Sequence, residues 1–400
     1  MHAPTLAEVT LPSPEEEVWR YSRIAELDLT AFHPIERGTA GGPLPGAVRD
    51  LLTAIPERAG VVVVVDGTVI HTELAEPVAR HGVWFGPARE SAGAKPVGAG
   101  REPVDVFAAL NAERCTDPVL LEVPAGVEVP APFVVIDWLE TEAAAVFPRL
   151  TVRLGAGAGA TVVEWHGSAD VLALACPVTD LSVEQGAQLG QVTVQHRGER
   201  VWQIASQGST VGQQASLVAA QIGLGGDYAR TRTDCRLEGR GASGKLLAAY
   251  FGEGAQTLDF RTFQDHLAPD TTSNLLFKGA VGGSSRSVYT GLIHVGKHAR
   301  GTNAFQTNRN IKLSEHAWAE SVPNLEIENN DVRCSHASTV GPVDEEQRFY
   351  LESRGVPTAV ADRLIVSGFF DEVLSQLPVS AVRNLVEGEI DRRLERSERP

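Results

Sequence analysis

The feature that most restricts what this chain can fold into is a glycine-marked repeat of about thirty residues. VRLGAGAGATVVEWHG, starting at Val152, aligns without gaps on VEQGAQLGQVTVQHRG, starting at Val183, with Val, Gly, Ala, Gly, Val and Gly at matching positions. CRLEGRGASGKLLAAYFGEG, further along, is a looser third copy. Glycines at fixed offsets mark repeated turns, and a unit of this length suits one coil of a stacked solenoid. From residue 117 to 341 short β-rich runs alternate with Gly, Ala, Ser, Gln and Asn, without helical periodicity. Arg149-Leu150-Thr151-Val152-Arg153-Leu154 alternates polar and apolar, as a strand with one buried face must. The pattern predicts a mainly β protein with a right-handed parallel β-helix, or a closely related stacked sheet, at its centre, in preference to a sandwich, which would show similar strand spacing.

The flanks have a different texture. In residues 1–116, PSPEEEVWRYSRIAELDL opens with Ser-Pro and three glutamates and predicts a short helical lead-in. AGVVVVVDGTVIH has two β-branched runs around Asp66-Gly67, a hairpin signature. Together they make an N-terminal α+β section. Residues 342–400 read as a helical domain. Asp344-Glu345-Glu346 starts one helix that Gly355 closes; Pro357-Thr358 starts a second, with Ala361, Leu364, Ile365 and Phe369 on one stripe. Pro378 and Ser380 introduce a third, carrying Val382, Leu385, Val386, Ile390 and Leu394 at helical spacing.

Charge and cysteine usage exclude several classes. A formal charge of -16 with scattered Lys and Arg argues against nucleic-acid binding. The first twenty residues have no basic n-region, and no stretch of about eighteen apolar residues occurs, so a cytoplasmic protein without a membrane span is expected. Cys115, Cys176, Cys235 and Cys334 are far apart, with no CxxC pair to suggest a disulfide framework or a self-contained zinc or cluster motif.

Most apparent motifs dissolve on inspection. GRGASGKL, from Gly239, lacks the Ser or Thr that a P-loop needs for magnesium, and LLAAY sits in β-rich surroundings where no helix can receive phosphates. Gly155, Gly157 and Gly159 belong to the repeat. Ser335 and His336 are adjacent on a strand and face opposite sides, so they form no nucleophile-base pair. Cys334 and His336 differ: at positions i and i+2 of a strand both project to one face, roughly 7 Å apart. Two ligands do not close a site, since structural zinc and iron-sulfur clusters take four. Glu315, His316, Glu320, Glu326, Glu328 and Asp331 lie close in sequence as candidates to complete the set. The bland alternative is an ordinary strand with a buried thiol and a surface imidazole.

WRYSRIAEL, the glycine-punctuated core, and above all CSHASTVGPVDEEQRFYLESRGV followed by LIVSGFFDEVLSQLP resemble the SufB/SufD family of iron-sulfur cluster assembly scaffolds. The C-terminal run is the most specific part. His336 is flanked by Ser335 and Ala337 rather than by the glutamates of SufB-like chains, and the late cysteine of those chains falls on Thr307 in AFQTNRN. These departures, with the length, make the chain most similar to SufD.

The resemblance implies a non-catalytic scaffold subunit in a complex with a SufB-like chain and two copies of a SufC-like ABC ATPase. It implies that the ATPase docks on residues 343–395, with Asp344, Phe349, Tyr350, Arg354, Phe369 and Phe370 as candidate contacts. His336, and more weakly Cys334, would bind iron or a transient iron-sulfur cluster at the interface with the SufB-like subunit, with no cofactor held permanently. The isolated chain is expected to be able to form a homodimer. A SufB-type role and a polysaccharide-acting β-helix enzyme are the competing readings; the latter suits a secreted chain with more than the six Trp and five Tyr present here.

Overall fold

A computed structural model describes residues 6–38, 42–91 and 101–397. The chain winds back and forth between two large sheets, adding one parallel strand to each in turn. One sheet runs from Trp84–Pro87 through Val119–Val123, Arg149–Leu154, Val178–Val183, Val201–Val211, Tyr228–Leu237, Thr257–His266 and Arg286–Val295 to Trp318–Ile327. The other starts at the hairpin Gly60–Val65 and Thr68–Leu74 and continues through Phe133–Leu139, Gly159–Ser168, Gln188–His196, Ser216–Gly223, Ser243–Gly252, Thr272–Val281 and Thr302–Lys312 to Val332–Pro342. This is the mainly β, solenoid architecture that the repeat predicts. Hydrogen bonding is continuous from Gly60–Val65 into Phe133–Leu139, so the first sheet residues precede position 117.

The repeat itself needs a correction. Val152 pairs with Leu181, and Gly159 with Gln188, a spacing of 29 residues rather than the 31 of the ungapped alignment. The side-chain period of a strand is two, so a slip of two residues keeps every inward residue inward and leaves the hydrophobic pattern intact. The turn glycines identify the true register: Gly157 (φ 66°) and Gly186 (φ 68°) stack in the left-handed conformation that glycine adopts without cost.

Between the sheets lies a core that includes Phe133, Val152, Leu217, Leu246, Phe260 and Phe277. Helix α1 (Gly46–Ala54) covers part of the second sheet's outer face, while α2 (Glu76–Arg80) buries no residue. The hairpin turn at Asp66 (φ 45°) and Gly67 (φ 77°) forms as the sequence predicts.

The helical lead-in does not form. Its residues make isolated 3-10 turns at Glu17–Trp19, Ile24–Glu26 and Leu29–Ala31. The chain lies along the first sheet's outer face with Trp19, Ile24 and Leu29 packed beside α3 (Val106–Arg114), Trp202 and Tyr228. Arg230 Nη2 donates to the Val18 carbonyl at 2.6 Å, and Arg261 Nη2 to that of Arg20 at 2.6 Å. These carbonyls, which a helix would use internally, are satisfied by the sheet instead.

Helices α4 (Glu345–Glu352), α5 (Thr358–Leu374) and α6 (Ser380–Ser397) follow the last strand. Asp344 caps α4 by accepting from the amides of Glu346 and Gln347, and Gly355 (φ 83°) ends that segment. On α6, Val382, Val386, Ile390 and Leu394 are buried against the second sheet, with Leu385 half-buried. On α5 the buried stripe is Ala361, Val366, Phe370, Val373 and Leu374; of the expected residues Ala361 belongs to it, Ile365 and Phe369 pack half-buried beside it, and Leu364 does not. Leu364 is exposed on the other side, because this helix is apolar around much of its circumference and periodicity alone offers two stripes.

Candidate functional site

Both terminal strands are open edges. Among the described residues, Val332–Pro342 pairs only with Thr302–Lys312, and Trp318–Ile327 only with Arg286–Val295, along the two sheets. Their unpaired backbone groups make this end of the solenoid a template for another chain.

Cys334 and His336 lie on the inward-facing side of the last strand. Cys334 is in register with Ala304 and packs, half-buried, against the small cluster of Ile293, Val295, Ala299 and Ala304. Burial pushes its thiol up from the ordinary range, opposed by a hydrogen bond from the backbone of Ala304. A thiol so placed is less of a thiolate, hence a poorer ligand until a metal ion displaces its proton. His336 is in register with Gln306 and is exposed at the open end. Two residues further on, Ser338 Oγ donates to Ser321 Oγ at 2.8 Å, linking the two terminal strands across the interior. Ser335 points to the outer face, as alternation requires.

The nearby acids and His316 do not complete a ligand set. Glu315 and His316 lie exposed in the loop before Trp318, and Glu320 and Glu326 alternate onto the outer face of the opposite terminal strand. Glu328 lies 4.0 Å from His294, which also faces Asp265 at 3.4 Å. Asp331 precedes the last strand, its amide held by Asn329. Among the described residues no group of three or more His, Cys, Asp or Glu converges. Thr307 is buried and turned to the outer face, and the inward neighbour of His336 is Gln306, which the sequence reading did not single out. Its position one coil before His336 is the signal that could have found it. The other thiols are set for packing: burial pushes Cys115 up to about 12 and Cys235 up to about 11, and raises Cys176 further.

A second candidate surface lies on the helices. Phe349 is 72% and Tyr350 57% exposed on α4, which buries none of its own residues. Arg354 stacks over the Tyr350 ring at 5.1 Å, and Arg348 holds Asp362 of α5 through a forked ion pair. A groove of about 860 Å³ runs between α4, α5 and the second sheet, with Arg309, Tyr350, Leu364 and Phe369 on its walls. Phe369 is half-buried, with Lys278 Nζ 4.4 Å from its ring centroid. Phe370 differs from the other expected contacts: at 1% exposure it packs on Phe251 and belongs to the core. No described helix is long and apolar enough to cross a membrane.

Residues 138–369 match the family model of the SUF system FeS cluster assembly SufBD core domain. An iron-sulfur cluster assembly SufBD family protein of Mycobacterium tuberculosis is 34% identical over 327 residues, covering 80% of this chain and 81% of that protein. One of Mycobacterium leprae is 33% identical over 306 residues, covering 74% and 77%. A more distant one of Staphylococcus epidermidis is 26% identical over 275 residues, covering 68% and 59%.

Proposed function

This chain belongs to the SufBD family of the SUF iron-sulfur cluster assembly system, and from that membership we propose that it is a SufD-like, non-catalytic scaffold subunit. It pairs with a SufB-like subunit through the open end of the solenoid and presents His336 to a nascent cluster or to iron at that interface. The observation that carries this reading is the placement of His336, exposed on an inward-facing strand position beside an unpaired edge. Neutral imidazole is a suitable borderline ligand for iron. A ligand set shared between two chains can be opened by their movement, which suits cargo that must be released. Cys334 supports the strand by packing and is the weaker candidate ligand.

The exposed rings of α4 and the groove beside them suit a SufC-like ATPase as the second partner. Its movement on α4 and α5 would be transmitted to the last strand through the short connection at Val343-Asp344.

Two variants of the full chain, co-expressed with both partners, test the two halves. His336→Ala should leave the complex assembled and abolish cluster formation followed by visible absorption; normal cluster formation removes His336 from the chemistry. Phe349→Glu with Tyr350→Ala should release the ATPase while the SufB-like subunit stays bound, and retention of the ATPase refutes the docking surface.

A further inference from the structure

One coil beneath His336 sits a buried carboxamide without a partner. Gln306 is 1% exposed, and neither its amide oxygen nor its nitrogen has a hydrogen-bond partner among the described residues. It is the residue in register with His336, so carboxamide and imidazole occupy adjacent levels of one inward-facing column, about one strand spacing of 4.8 Å apart. Leaving buried amide atoms unpaired costs about 1–3 kcal/mol for each. Such groups persist in native structures where they have a role or where water takes the bond.

Most of the nearby polar groups are already engaged; Gln264, beside Thr262 on the opposite sheet, is the exception, its amide atoms being unpaired too. Asn308 Nδ2 donates to the Tyr250 hydroxyl at 3.0 Å, and Asn310 Nδ2 to Asn308 Oδ1 at 2.9 Å. Tyr289 and Thr262 share a hydroxyl bond of 2.9 Å, and Ser338 is bonded to Ser321. From the opposite sheet Gly291 provides the space: a Cβ there would collide with both the Tyr289 hydroxyl and the Gln306 carboxamide. The carboxamide is therefore seated in a glycine notch, with the unengaged imidazole of His336 on the adjoining strand.

We propose that Gln306 is the positioning residue of His336. A turn of its carboxamide out of the Gly291 notch bonds it to one ring nitrogen, and so fixes which nitrogen carries the proton and which keeps its lone pair free. The hydrogen bond is a property of the chain alone; its use for iron rests on the function proposed above. Partners of this kind orient most metal-binding imidazoles.

The test begins with the full chain, free of iron and labelled with 15N in its histidines. Long-range 1H-15N correlations are recorded at alkaline pH, the His336 signals being those absent from His336→Ala. One tautomer should predominate. Gln306→Met, of similar length but without a donor or acceptor at its end, should shift the tautomer ratio. Gly291→Ala, which pushes the carboxamide from the other sheet, should shift it in the same direction and covers the case in which the methionine variant does not fold. Unchanged His336 signals in these variants overturn the inference. Ferrous-ion binding by the co-expressed complex then separates the two claims. Gln306→Met should weaken it roughly 10–100-fold where His336→Ala abolishes it. Full affinity in Gln306→Met, with loss in His336→Ala, overturns the positioning role. Full affinity in His336→Ala overturns the metal reading and leaves the tautomer result standing.

Discussion

Replacing Asp259 by Asn should destabilise the fold severely and loosen the N-terminal segment first. Asp259 is 0% exposed, and its carboxylate accepts from Arg261 Nε at 2.6 Å, Tyr228 Oη at 2.8 Å and Arg230 Nη1 at 2.9 Å. Both arginines are themselves buried and extend to the Val18 and Arg20 carbonyls, while Arg230 lies 3.9 Å from the Trp19 ring centroid. The carboxylate thus neutralises two buried cations that hold one strap of chain. Removing one member of such a group costs about 3–5 kcal/mol, because a buried charge is left uncompensated. Here an asparagine leaves two guanidinium groups to share one neutral oxygen, which puts the expected loss at the upper end, about 5 kcal/mol. Denaturant unfolding measures the loss, and hydrogen exchange should show residues 18–21 losing protection before the solenoid does. Burial works against ionisation of Asp259, yet Arg261 and Arg230 hold its carboxyl below the usual range. Its contribution is therefore present above the ordinary carboxylate pKa and lost as pH falls below it. A loss under about 1 kcal/mol, or unchanged protection at residues 18–21, would refute the reasoning.

Two further outcomes follow from buried groups elsewhere. His266, hydrogen-bonded to Thr271 and Ser273, is lowered to about 4 by burial and by His294; its neutral form is the native one, so stability is complete above about pH 6.5 and falls as pH drops toward the folded-state value. The loss is on the order of 3 kcal/mol, and His266→Asn should flatten that part of the stability-pH profile. Phe370→Ala should cost about 3–5 kcal/mol through the cavity it leaves, whereas Phe349→Ala should change thermal stability by less than about 0.5 kcal/mol; equal effects would contradict their different burial.

The strands were legible because their apolar residues alternate and their turns are marked by glycine. Arg149–Leu154, the Asp66-Gly67 hairpin and the pairing of Cys334 with His336 on one face all follow from the period of two. That same period hid the register, since Val152 against Val183 and Val152 against Leu181 give identical inside-outside patterns. The acidic N-terminal segment read as helix because local propensity cannot anticipate that Arg230 and Arg261, more than two hundred residues away, will take its carbonyls. On α5, the apolar residues around the helix left the choice between Leu364 and Phe370 to the surface against which it packs.

For the site, the sequence alone determined that Cys334 and His336 share a face and that the C-terminal run continues into helices. Covalent geometry and side-chain periodicity suffice for such neighbours along one chain. Only the tertiary structure decided that this face turns inward at an open sheet edge, that Gln306 lies beside His336, and that Gly291 on the other sheet leaves room for it. Those relations depend on which strands stack and in what register. Hydrogen bonds and core packing between distant segments set that register.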